Sequence, residues 1–411
     1  MEEKWKLGVV LIAIILTLSA WTAYAIHSLT QLDEEYIYHR SEVTRVLIDG
    51  NENFTSENGI VSGVGSLLDP YIISFPEASY YKQTTIEISN TTLAFVLRDS
   101  TFEYSYSSGC LVFTEIGIRI SNATNFSVEG SYSSGGCVIS DCHDFTLCDN
   151  RLSTTIVNGT RYSVCHSNGG KVSMTGCTDF SVANNVNLTL TLDGCRDSVI
   201  TNNRFERGTI TVGNGLNCLI DSNVCQSITV HTGSAECAVV GNSVKHYSVT
   251  GGRGLFLDSV HNVTVDKNTI DNCSYHAIEL GNSVTNCTIT RNNISNCYGA
   301  ITLRGARGCQ VYHNNIFSSY WSGGVMLSDP LDSQYHAGGV LDEQGWLNSW
   351  DNGYPDGGNY YFDYNGIDIY CGHLQDTSGG DGIGDTPLVI YTYLSGTPAE
   401  DRYPLMVPYC G

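Results

Sequence analysis

Two groups of side chains in this 411-residue sequence have types and spacing that could do chemistry. The first is His231, Phe256, Asp258, Glu279 and Arg304, which follow one another at intervals of up to about two dozen residues. If those intervals equal one turn of a repeat, the five fall on adjacent turns of one face, some ~5–10 Å apart. Two carboxylates at that separation beside an arginine suit glycoside hydrolysis or uronate chemistry. Phe256 could stack on a sugar ring. The plainer alternative is that a long repeat must present polar residues to water, and some group by chance. The second set is Asp363, Asp368, Asp376, Asp381 and Asp385, in a glycine-rich stretch. Carboxylates spread along an irregular loop are what calcium requires, and such a site would be structural. The frame Asp-x-Asp-x-Asp-Gly is missing, and the same aspartates could instead cap turns.

Other chemistry is poorly represented. The sequence has no Asn-Thr-Asp, Asp-Asp, Gly-His-Gly or Arg-Ile-Lys set of the polygalacturonase kind, so sugar binding is expected ahead of turnover. Eleven histidines without a His-x-His pair, and four methionines, argue against a dedicated copper site. Sixteen cysteines contain no Cys-x-x-Cys, which argues against zinc. A net charge of −22 repels nucleic acid and anionic membrane surfaces.

The elements that must position these residues are short and repeated. Apolar-x-apolar triplets begin at Ile86, Ile118, Cys137, Val172, Leu190, Ile210, Ile228, Leu255, Ile278, Ile301 and Val325. Longer gaps after Ile86 and Cys137 imply loops or a less regular turn. An asparagine recurs at a fixed offset, at Asn150, Asn185, Asn203, Asn223, Asn242, Asn268, Asn292 and Asn314, with an apolar residue two positions on in most cases. Alternation over so few residues marks a strand with one buried face. Strands this short, without Asn-Gly turns in register, do not make hairpins. They can wind into a coil in which each strand pairs in parallel with its copy one turn away. Asparagine at the corner tolerates a left-handed backbone, and its amide can hydrogen-bond along the stack. A β-sandwich would need longer strands, and a leucine-rich repeat its own leucine frame. The expected fold is an all-β, right-handed parallel β-helix of about ten or eleven coils.

The cysteines follow the same frame. Cys142, Cys177 and Cys195 stand eight residues before a ladder asparagine, Cys218, Cys237, Cys287 and Cys309 five before, and Cys273 and Cys297 five after. Stacked coils would bring such pairs near disulfide distance, or leave them as buried free thiols.

The compartment is written at the N-terminus. Leu7 to Ile26 is an uncharged apolar run, preceded by Lys4 and Lys6 and followed by Asp33, Glu34 and Glu35, which places the body outside the cytoplasm. An uncleaved anchor is the favoured reading and a signal peptide cut after Ala25 the rival. Ten Asn-x-Ser/Thr sequons agree with an external chain: Asn53, Asn90, Asn122, Asn125, Asn158, Asn187, Asn262, Asn272, Asn286 and Asn293.

Several segments resemble archaeal NosD-like proteins with parallel β-helix repeats. NGIVSGVGSLLDPYIIS at Asn58–Ser74, followed by TTIEISNTTLAFVLRDSTF from Thr84, is similar to their opening. WDNGYPDGGNYYFDY at Trp350–Tyr364, GDGIGDTP at Gly380–Pro387 and DRYPLM at Asp401–Met406 resemble their close, in that order. The resemblance implies the β-helix fold. It also implies one of several roles: carbohydrate binding or hydrolysis, a place in a surface layer, or copper accessory function. The chain departs from the family in its cysteine content and in an insertion at Ile369–Gln375, whose Cys371 is a candidate partner for Cys410.

The expected organisation is an anchor or signal over 1–26, a stalk over 27–45, the β-helix over 46–338 and a C-terminal cap over 339–411. The expected protein is a non-catalytic surface rod that binds glycans or neighbouring surface proteins. A polysaccharide lyase, hydrolase or epimerase is the first alternative, and a self-assembling sheath or lattice component the second.

Overall fold

The computed structural model describes residues 42–76, 82–102, 117–246, 252–317, 341–342, 348–390 and 399–410. The apolar run at 7–26 and most of the stalk lie outside them. Among the described residues no helix is long and apolar enough to cross a membrane.

The chain is an all-β, right-handed parallel β-helix. Its first row of strands runs from Glu42–Asp49 to Gly299–Leu303 through eleven parallel pairings, hence eleven turns. The register joins Val46, Ile86, Ile118, Cys137, Thr154, Val172, Leu190, Ile210, Ile228, Leu255, Ile278 and Ile301 in one column. The long gap after Cys137 is therefore a whole extra coil. It begins at Thr154, whose hydroxyl hides it from a search for apolar triplets. Above Thr302 and Leu303 stands Leu341–Asp342; Val325, the expected start of the next coil, lies outside the described residues.

The proposed boundaries also shift. The first strand opens at Glu42, inside the expected stalk. The stack continues past residue 338, because Tyr360–Tyr361 pairs with Asn315–Ile316 and Ser349 bridges to Gln310. The solenoid and its cap share one hydrogen-bonded stack.

A second row carries the inward column Phe95, Phe126, Phe145, Tyr162 and Phe180, continued in register by Ser198 and Cys218. Adjacent rings in the aromatic part lie 4.5–5.0 Å apart and within 8° of parallel. A third row places Phe205, Cys225, Val244, Ile270, Ile294, Ile316 and Tyr361 inside. The core is thus a set of like-on-like columns, the arrangement that in-register parallel pairing imposes.

The corner between the second and third rows is held by buried amides. Asn185, Asn203, Asn223, Asn242, Asn268 and Asn292 each donate Nδ2 to Oδ1 of the next asparagine at 2.8–3.0 Å. Asn314 passes the chain to Asn359 at 2.9 Å. The ladder starts earlier with hydroxyls: the Ser100 N–H donates to Ser131 Oγ, the Ser131 N–H to Asn150 Oδ1, and the Ser167 N–H to Asn185 Oδ1. The left-handed residue at this corner is the one before each ladder asparagine, as at Asp149, Asn184, Asn202, Lys267 and Arg291. The ladder side chain points inward, and the left-handed backbone belongs to the residue before it.

The cap closes the open end with motif residues. Arg402 donates to Asp351 through Nε at 3.0 Å and Nη2 at 2.7 Å. Asp401 is fully buried and accepts the Asn359 N–H at 2.7 Å and the Tyr361 hydroxyl at 3.1 Å. These bonds cover the last ring of the core, Trp350 and Tyr361.

Candidate functional site

The first row brings the sequence-derived residues onto neighbouring coils. Thr191, Thr211, Thr229, Phe256, Glu279 and Thr302 form one outward column. Asp193, Gly213, His231 and Asp258 form the next. What differs from expectation is the openness of the face. Glu279 is 2% exposed and Thr302 fully buried, so the outward column is covered over its last coils.

Glu279 is covered by two arginines. Arg304 donates Nε to Glu279 Oε1 at 3.0 Å, and Arg253 donates to Oε2 from the other side. Arg253 also lies over Phe256, with its guanidinium carbon 4.5 Å from the ring centre, and 5.4 Å from that of Tyr275. Arg304 donates Nη2 to the Tyr275 hydroxyl at 3.0 Å. Behind this group His276 is buried, with Nδ1 2.9 Å from Thr302 Oγ1. Burial, reinforced by the charges of Arg304 and Arg253, brings His276 down to about 3 and keeps it neutral.

Asp258 turns away from this cluster. Its carboxylate accepts the Asn282 N–H at 2.9 Å and the Ser259 hydroxyl at 3.2 Å, closing the next turn. His231 stacks below Asp258 and sits against the Thr232 hydroxyl. Arg304 reaches Glu279, so the four polar candidates divide into two pairs. Glu279 is saturated by cations and Asp258 by turn donors, and a carboxylate so held is poorly placed to exchange protons with a substrate. The half-exposed edges of Arg253 and Arg304, with Phe256 and Tyr275, are what the face offers to a ligand.

Sequence reasoning missed Arg253, Tyr275 and His276. The available signal was coil length: Ile228 to Leu255 is 27 residues where Ile210 to Ile228 is 18, and Arg253 sits in the surplus.

On the second row a shallow groove of about 530 Å³ is lined by Asp144, Thr146, Arg161, Ser163, Asp179 and Asp197. Arg161 donates Nε and Nη2 to the two oxygens of Asp144, both at 2.8 Å, which with His143 holds that carboxyl well below the usual range.

Three of the cap aspartates accept hydrogen bonds that tie 368–375 to 381–385. Asp368 accepts the Asp381 and Gly382 N–H groups at 2.9 and 2.8 Å, and Asp385 those of Ile369 and Tyr370 at 3.0 and 3.1 Å. Asp381 takes Gln375 Nε2 at 3.2 Å. Among the described residues, the set of His, Cys, Asp and Glu ligand atoms that converges is Cys148, Cys165 and His166.

The fifteen cysteines described are free thiols. Cys371 and Cys410 are not joined: Cys371 lies in a hairpin strand against Thr377–Ser378, and the Cys410 thiol turns to the Pro408 carbonyl. Within the coils, parallel side chains keep adjacent Cβ atoms about 4.8 Å apart, beyond the usual ~3.5–4.5 Å of a disulfide. Most of these thiols serve as small core residues. Of the sequon asparagines, Asn90, Asn122, Asn125, Asn158, Asn187, Asn262, Asn272 and Asn286 adopt left-handed corners, while Asn53 and Asn293 do not. Asn272 is tied to the His246 carbonyl, and Asn293 to Asn315. Asn262 is exposed.

A family model of the right-handed β-helix region matches residues 245–337. No curated protein matches the chain. Among solved structures it is similar to the surface protein and adhesin PfbA of Streptococcus pneumoniae, at 10% identity and a TM-score of 0.43, over 57% of this chain and 86% of that one. It is similar to a tailspike protein of bacteriophage CBA120 at 10% identity and a TM-score of 0.42, over 73% and 55%. It is also similar to the periplasmic alginate epimerase AlgG at 11% identity and a TM-score of 0.33, over 66% and 68%. At these identities the likeness is one of fold alone.

Proposed function

We propose that the chain is a non-catalytic surface rod whose face around Arg253, Phe256, Tyr275 and Arg304 binds carbohydrate, with carboxylate-bearing sugars favoured. The observation that carries this reading is the clamping of Glu279 between two arginines. The best-placed carboxylate on the face is neutralised, and the Arg253 guanidinium stays partly exposed over the Phe256 ring. A planar guanidinium matches a sugar carboxylate in two-point geometry, and a partly exposed aromatic ring matches the apolar face of a pyranose. On this reading the run at 7–26 holds the rod at the outside of a membrane, and sequons such as Asn262 carry glycans.

The test is a panel of neutral and uronate-containing oligosaccharides offered to the full chain, scored for binding and for new reducing or unsaturated ends. Retention of uronate sugars without turnover is expected. Turnover that disappears in Asp258→Asn would replace this reading with that of a lyase, hydrolase or epimerase.

A further inference from the structure

Cys148 and Cys165 are the two described cysteines within the coils that are not buried. The alternation of their strands explains it. In His143–Cys148, Phe145 and Leu147 point inward and Cys148 outward; in Thr160–Cys165, Tyr162 and Val164 point inward and Cys165 outward. The two are register partners on adjacent coils, although 17 residues separate them in the chain. Below Cys148 in the same column is Glu129, and above Cys165 is Ala183, whose methyl group leaves that side open.

His166 completes the group. It follows Cys165 in the left-handed corner conformation, at φ 51°, and its Nδ1 lies 3.6 Å from Cys148 Sγ on the coil below. The Cys148, Cys165 and His166 ligand atoms all lie within 4.8 Å of one another. A tetrahedral ion with Zn–S of about 2.3 Å and Zn–N of about 2.0 Å sets sulfur and nitrogen about 3.5 Å apart, close to the 3.6 Å between Cys148 Sγ and His166 Nδ1. It sets two sulfurs about 3.8 Å apart, which suits parallel side chains one strand spacing apart better than a direct S–S bond does.

We propose that Cys148, Cys165 and His166 form a binding site for a thiophilic divalent cation of the zinc class, with its fourth position open to solvent. Two thiolates and an imidazole are the ligands such an ion selects over calcium or magnesium. The site lies on different coils from Arg253, Glu279 and Arg304, so its fate is independent of the carbohydrate face.

The experiment titrates the reduced, metal-stripped full chain with Zn2+ against a chromogenic chelator, and with Cd2+ followed by thiolate-to-metal absorption. One ion per chain is expected. Cys148→Ser and His166→Asn should each weaken binding at least about 100-fold, beyond the 10–100-fold usual for residues that only orient a ligand. Far-ultraviolet circular dichroism should stay unchanged, as all three residues face outward. The double variant Cys371→Ser, Cys410→Ser should bind as the parent does. The proposal is overturned if Zn2+ binding survives in Cys148→Ser, Cys165→Ser, if no ion binds, or if mass spectrometry of the chain prepared without reductant finds Cys148 and Cys165 cross-linked.

Discussion

Asn268 donates its Nδ2 to Oδ1 of Asn292 at 2.9 Å across 24 residues of chain, and its backbone N–H reaches the same oxygen at 2.9 Å. Each ladder amide therefore satisfies two donors of the coil before it. Asn268→Ala leaves the Asn242 N–H without its side-chain acceptor, takes one of three acceptors from Asn242 Nδ2, and removes the amide donor to the Val239 carbonyl. Buried polar groups left unpaired cost about 1–3 kcal/mol each, so a loss of about 3 kcal/mol or more is expected in urea unfolding. Asn262→Gly, at an exposed left-handed corner that glycine adopts without strain, should change stability by about 0.5 kcal/mol or less.

Phe145 lies between Phe126 at 4.9 Å and Tyr162 at 4.5 Å, both nearly parallel to it. Phe145→Ala opens a gap in the middle of the column and should cost about 3–5 kcal/mol by denaturant unfolding. Phe145→Leu refills most of the volume and should lose markedly less.

Two buried groups give opposite pH slopes. Burial raises Asp401 from 3.8 to about 7, so the folded chain holds a proton there that the unfolded chain has released. Asp401 therefore lowers stability as pH rises through that window, by an amount on the order of 4 kcal/mol in full. His276 falls from 6.5 to about 3, so the unfolded chain takes up the extra proton and stability drops as pH falls from 6.5 toward 3. The two slopes oppose one another in the parent. In Asp401→Asn the loss between about pH 4 and pH 7 should vanish, leaving the acid-side loss of His276, as read by thermal midpoints between pH 4 and pH 8.

The solenoid was legible because its columns repeat a residue type at a near-constant interval: the triplets of the first row and the ladder asparagines. Where the type changes, the pattern disappears. The coil that begins at Thr154 has no apolar start, the ladder passes through Ser131 and Ser167, and Asn359 lies 45 residues beyond Asn314. The aromatic column escaped notice because its members fall at the same offset as the later cysteines, so one structural position carries two residue types. The candidate face was half legible. Register placed Phe256, Asp258 and Glu279 on adjacent coils, but side-chain direction decided which groups meet. Arg253 enters from a lengthened turn that no periodicity marks. Cys148 and Cys165 were passed over because a ligand pair was sought along the chain, whereas stacking supplies it across coils.

Glu279→Gln keeps the shape of the buried side chain and removes its charge. Arg253 and Arg304 then lose their shared counter-ion, and a carboxylated oligosaccharide should bind more tightly, by roughly tenfold in titration calorimetry, given about 1.5 kcal/mol for a charge-assisted hydrogen bond. A catalytic Glu279 would instead show itself as lost turnover with little change in affinity.

The most direct measurement compares binding of one oligouronate by the parent chain and by Arg253→Ala, Arg304→Ala at fixed ionic strength. The account predicts a loss of at least about tenfold in affinity, with the sugar recovered intact from both. Equal affinity in the two proteins, or cleaved or epimerised sugar from the parent, would contradict it.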